Sequence, residues 1–484
     1  MYGRAFLLKK LKKVFICLLV SSLVLPICLF SSCKKQSPLS QYDLNIVYSD
    51  GEISGKLAYK FVNSYNCVFD HLLFNLHANA YSENASHPPV GANNLSKAYP
   101  YGQSFGNIEI LEVTSNQESL EYEIFGEDGE FLKIFTGAIY QDKEKSVEIT
   151  FKTTIPSSNL RLGVTNLSVN LGDFFPTLCY INNGAFQQIS YTTFGDPYYQ
   201  DVSNYTVDIT VPSKFSVASS GNPAKTEITE HGTTYSYELF NGRDFAFVLS
   251  ENFEIRSIKT KDLTINYYSL SDDAQEKLDL ATDCINFFTK TFGKLPFQTV
   301  SIAETPFFCG GMEYSGLCIV SSNLETNDFN YSLYHELAHL WWHGGVGNDQ
   351  FSCAYIDEGL CEFSTYLYLR KNKIDDANNM IENAKYVYKS FFDINSLLSG
   401  SANTTMQRNL NEFTSEYEYI NIAYNKSFIM FYNYFLTVGE NKALKSFKKL
   451  YKDNYLSEID KYDLIKALGL SEHFNSYIDG KVLI

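Results

Sequence analysis

Between residues 41 and 255, hydrophobic side chains recur at every second position in short runs bounded by Gly, Asn, Pro and Ser. Val147, Ile149 and Phe151 alternate with polar neighbours, as do Val207, Ile209 and Val211 before Pro212 stops the run. This period places one face of each run in a core and predicts a β-rich domain of antiparallel strands. The stretch from Tyr81 to Gly102, rich in Asn, Ser, Pro and Gly, reads as a connection. Near residue 260 the period lengthens. From Asp272 to Phe292, the residues Ala274, Leu278, Ala281, Cys284, Ile285, Phe288 and Phe292 fall on one helical stripe, with Gly293 and Pro296 as stop signals. A strand at Thr299 to Ala303 and the Gly310-Gly311 turn follow, and then further helical segments. The expected class is α+β: an antiparallel β-rich domain over 41–255, a mixed, mainly helical domain over 256–440 and a short helical segment over 441–484.

The first 32 residues break both patterns. Arg4, Lys9, Lys10, Lys12 and Lys13 precede an apolar run from Val14 to Phe30, and Ser31 and Ser32 lead to Cys33. That order is a secretory signal peptide, 1–32, with a linker over 33–40. Leu29-Phe30-Ser31-Ser32-Cys33 resembles a bacterial lipobox, with Phe30 in place of the usual Leu, Val or Ile. The resemblance implies a lipid on Cys33 and an extracytoplasmic, membrane-anchored protein. An uncleaved anchor or simple secretion are the alternatives, and all three leave the remaining chain outside the cytoplasm. Removing the five basic residues before Cys33 takes the formal charge from −16 to −21, which argues against nucleic acid as a partner. Seven cysteines follow Cys33; most read as small buried hydrophobes, although Cys309 with Cys318 or Cys353 with Cys361 could pair in an oxidising compartment.

His335-Glu336-Leu337-Ala338-His339 has the HExxH spacing. On a helix, positions four apart share a face, so both imidazoles can reach one metal ion with Glu336 beside its open position. Ser332 is the expected helix start, with Leu333, Leu337 and Leu340 as a packing stripe and Gly344-Gly345 as the stop. Glu358 heads a second apolar-periodic segment after eighteen intervening residues. Two His and one carboxylate leave one tetrahedral position open, which marks a catalytic zinc site. A third His six residues after His339 would suit a different arrangement, but that position is Gly345. His343 is read as a surface residue or as a support behind a ligand.

His335 to His339 with Glu358 at this spacing, preceded by Gly310-Gly311-Met312-Glu313, resembles the signature of the alanyl or membrane aminopeptidases, a gluzincin family with a thermolysin-like catalytic domain. Phe292-Gly-Lys-Leu-Pro-Phe297 and Gly195-Asp-Pro-Tyr-Tyr199 fit as well. The resemblance implies a zinc aminopeptidase acting on peptides, with one Zn²⁺ per chain held by His335, His339 and Glu358. It implies Glu336 as the base acting on a metal-bound water and Tyr424, in Tyr424-Asn425-Lys426-Ser427, as donor to the oxyanion. Here Ser427 replaces a Gly of the family pattern. It further implies that Glu313 holds the substrate α-ammonium while Gly310 and Gly311 run alongside the peptide. Tyr314 stands where the family has Asn. Gln187 and Asp196 are candidates for a second amine-binding residue, and Asp357 either orients a zinc-bound His or caps its helix. Two other functions compete: an endopeptidase or other zinc hydrolase on the same site, and a non-catalytic lipid-anchored binding protein.

Overall fold

The computed structural model describes residues 39–196 and 199–482; the segment 1–32 expected to be a signal peptide, and Cys33, lie outside them. Gln41–Ser49 and Glu52–Val62 bury alternate residues and pair antiparallel across an eight-stranded sheet. Val147, Ile149 and Phe151 lie on its buried face in Glu144–Thr154, and Val207, Ile209 and Val211 do so in Ser203–Val211, which ends before Pro212. One pairing departs from the antiparallel expectation: Gln41–Ser49 runs parallel to Ser203–Val211, residues some 160 positions apart. Alternation fixes which face is buried and says nothing of a partner's direction. Two four-stranded sheets pack within the same continuous core.

Glu254–Lys259 opens a five-stranded sheet whose far edge is the short strand Gly311–Tyr314, paired antiparallel with Leu317–Ser321. Around it lie helices α1 (Ala274–Thr291), α2 (Thr326–His339), α3 (Asp357–Asn372), α4 (Ile374–Ser399) and α5 (Ser427–Val438). Helix α2 starts six residues before Ser332, which sits mid-helix. Its first turns carry Asn327, Asp328 and Asn330, so only Phe329 contributes to an apolar stripe there, and the periodicity is silent. Trp341 and Trp342, both fully buried, anchor the end of α2: their indole N–H groups donate to the Gly293 carbonyl at 2.9 Å and to Ser364 Oγ on α3 at 3.0 Å. The stretch His335 to His339 is thereby fixed against both the end of α1 and the helix that carries Glu358. The seven cysteines among the described residues are free, so neither Cys309–Cys318 nor Cys353–Cys361 is bridged. Among the described residues no helix is long and apolar enough to cross a membrane.

Candidate active site

Helices α2 and α3 cross so that three donor atoms converge. His335 Nε2 lies 3.1 Å from His339 Nε2 and 3.1 Å from Glu358 Oε2, and His339 Nε2 lies 3.5 Å from the same oxygen. Tetrahedral bonds of ~2.0–2.1 Å to a common centre separate ligand atoms by about 3.3–3.4 Å, so this triangle fits zinc. Its electrostatics fit as well. Burial works against charge on His335, yet Glu358 and Glu362 push its pKa up to about 10, and Glu358 is held well below the carboxylate range by the two imidazoles despite its own burial. Buried carboxylates that draw protons onto both imidazoles form a cradle for a dication, with His335, His339 and Glu358 as the residues that would hold it.

Glu336 points into the same cleft. Its Oε2 is buried without a hydrogen-bond partner among the described residues, and burial pushes its pKa up to about 7. The neighbouring edge strand comes unusually close: a Cβ on Gly311 would lie 2.5 Å from Glu336 Cγ, and one on Gly310 2.8 Å from Ser332 Oγ. Both glycines are therefore needed for the strand to pass the helix, and among the described residues its outer edge has no strand partner. Glu313 sits at the strand's inner end within ligand distance of Glu336 and His339, buried, with its pKa raised by desolvation. Tyr314 does not shape that carboxylate's surroundings from the cleft side. Its hydroxyl packs against Gly172 of the β-rich part, so the departure from Asn is accommodated behind the strand.

Tyr424 lies on a seven-residue π-helix, Ile420–Lys426, ahead of α5. Wide turns of this kind re-aim side chains at functional sites, and here the phenol donates to Glu358 Oε1 at 2.6 Å while its ring stacks on His335. Ser427 supports the turn by donating to the carbonyls of Ala423 and Tyr424 and packs against Gly359, the residue after Glu358. Lys426 points the other way: its buried Nζ donates to the carbonyls of Thr404 and Tyr477, fastening the C-terminal helix Ser471–Ile478 beneath the site.

Several expectations need correction. His343 is buried and pairs with Asp244 of the β-rich part at 2.9 Å, so it is neither on the surface nor behind a ligand. Asp357 makes no capping bond; it accepts from Asn348 at 3.0 Å and from Gln350 at 2.9 Å, and Gln350 also reaches Glu313 at 3.3 Å. Gln187 binds its own hairpin, whereas Asp196 lines the cleft, paired with Arg161. Residues that the sequence reading missed also gather here. Glu362 Oε1 lies 3.0 Å from His335 Nδ1 and accepts from the Tyr331 hydroxyl. Its position one helical turn after Glu358 was a usable signal; Gln350 and Arg161 carry none.

Residues 276–479 match the Peptidase family M1 domain. Over that stretch the chain is similar to peptidase family M1. A puromycin-sensitive aminopeptidase of Caenorhabditis elegans is 23% identical across 48% of this chain, which spans 28% of that protein's length. An M1 zinc metallopeptidase of Deinococcus radiodurans superposes with a TM-score of 0.64 at 13% identity, over 92% of this chain and 95% of that one. A mutant of the same M1 enzyme bound to a Tyr-Ser-Ala substrate gives 0.63 at 13%, with the same coverage. At such identities the likeness is one of fold, and it spans the β-rich part as well as the M1 domain.

Proposed function

We propose that this M1 chain is a zinc-dependent aminopeptidase that removes residues from the amino terminus of peptides. The observation that carries the reading is Glu313: a buried carboxylate at the inner end of an open-edged strand, beside the zinc cradle, counts a substrate from its ammonium group. The M1 match and the tripeptide-bound relative support peptides as the substrate class. When bound, zinc supplies a Lewis acid that makes water nucleophilic at neutral pH. Glu336 takes the proton from the attacking water and returns it to the leaving amine, a role suited to a carboxylate with a pKa near 7. Tyr424 turns its hydroxyl from Glu358 to the oxyanion that develops on the scissile carbonyl. Gly310 and Gly311 offer main-chain groups to the peptide, and Asp196 is the β-rich part's contribution near the amine, its charge shared with Arg161.

The test uses the purified chain from Cys33 onward. It should hold about one zinc per chain after dialysis and hydrolyse a free aminoacyl-coumarin while sparing its acetylated form. Equal cleavage of both would leave a broader zinc hydrolase, and absence of zinc would favour a binding protein.

The N-terminal pattern supports export and diacylglyceryl attachment at Cys33, giving a membrane-anchored lipoprotein. Two acyl chains anchor stably where one does not. Cells expressing the full chain should incorporate labelled fatty acid into it, and Cys33→Ser should abolish the label; an unlabelled wild type would refute the lipidation.

A further inference from the structure

The catalytic cleft, a cavity of about 310 Å³, shares two wall residues, Tyr331 and Glu362, with a second cavity of about 500 Å³ between α2, α3, α4 and the end of the π-helix. We propose that this second cavity binds the downstream part of peptide substrates and favours a basic residue three to four positions beyond the scissile bond. The inference rests on the aminopeptidase reading above.

Direction comes from the edge strand. Glu313 neighbours Glu336 and His339, Gly311 abuts Glu336, and Gly310 abuts Ser332. A peptide anchored by its amine at Glu313 therefore runs toward the N-terminus of α2 and meets Tyr331, then Asp328. Eight residues of helix separate Glu336 from Asp328, ~12 Å at ~1.5 Å per residue, which an extended peptide covers in roughly three to four residues. The walls suit a main chain in that position. Asn327, Asn330, Asn379, Asn383 and Asn425 each offer donors and an acceptor, so they can serve both peptide N–H and C=O groups. The charge is one-sided as well. Asp328, Asp376 and Glu362 face the cavity against Lys373, and among the described residues Asp328, Asp376 and Lys373 make no ion pair. Asp328 and Asp376 lie in the first turns of α2 and α4, where a carboxylate also favours the helix dipole. Peptide preference separates that structural role from the proposed one.

The experiment compares two six-residue peptides, identical except for Lys or Glu at the fourth position after the first bond, with aminoacyl-coumarin as a substrate too short to reach the cavity. The zinc-loaded wild type should cleave the Lys peptide roughly three- to tenfold faster in kcat/KM, the range of one or two partly exposed ion pairs. Asp328→Asn combined with Asp376→Asn should bring the two peptides to parity while coumarin hydrolysis stays unchanged. Equal rates in the wild type, or a preference that survives the double substitution, would overturn the proposal. Loss of coumarin hydrolysis by the wild type would instead refute the aminopeptidase reading. In that case, anisotropy binding of the two labelled peptides to the Glu336→Gln protein reads the cavity's preference without turnover, and equal affinities would overturn it.

Discussion

The Tyr424 hydroxyl donates to Glu358 at 2.6 Å, so the phenol assigned to the oxyanion rests against the carboxylate assigned to zinc. The π-helix Ile420–Lys426 carries Tyr424 to this position. Tyr424→Phe should keep zinc, because the three donor atoms are unchanged, and should lower kcat about 10²- to 10³-fold, as loss of an oxyanion donor does. Metal analysis alongside turnover checks both halves; loss of zinc would mean that the phenol serves the cradle and not the reaction.

Glu362 faces His335 Nδ1 at 3.0 Å and is itself fixed by Tyr331. A carboxylate in that place would favour the tautomer that carries the proton on Nδ1 and leaves Nε2 free for a metal ion. Glu362→Gln should weaken zinc binding by roughly 10- to 100-fold in a chelator competition. An unchanged zinc affinity would show that packing alone orients His335.

Glu313 is expected to pair with the substrate ammonium, and removing one partner of a buried charge pair costs ~2–5 kcal/mol. Glu313→Ala should therefore lose roughly 30-fold to several thousand-fold in kcat/KM on a free-amine substrate. Acetylating that amine deletes the same contact, so the two losses should not add. Additive losses would place the ammonium elsewhere, with Asp196 the next residue to test.

Burial lowers the pKa of Lys426 to about 7 from 10.5, with Arg408 adding to the effect. Between those values the unfolded chain binds more protons than the folded one, so this residue makes stability fall as pH drops from about 10 to 7. The slope is at most ~1.36 kcal/mol per pH unit. Denaturant midpoints at pH 9 and pH 7 should differ more for the wild type than for Lys426→Met. The variant will be less stable throughout, since two buried carbonyls lose their donor, but parallel pH profiles would show that Lys426 does not titrate on folding.

Much of the architecture was legible in the sequence because it follows from periodicity. The alternation in Glu144–Thr154 and the stripe on α1 each name a buried face directly. Helix ends are less legible: the start of α2 is polar and solvent-facing, so no hydrophobic signal marks it, and Ser332, which reads as a helix start, lies mid-helix opposite Gly310.

The sequence by itself determined that His335 and His339 share one helix face as candidate ligands, because spacing of four on a helix is a local property that survives any tertiary arrangement, and it pointed to Glu358 through a second periodic segment. Only the tertiary structure decided what stands around them. It brought Glu362 to His335, turned His343 away to Asp244, joined Asp357 to Glu313 through Gln350 and opened a second cavity beside the first. These relations link residues on different elements, and their distances depend on how whole helices and sheets pack, which no local pattern encodes.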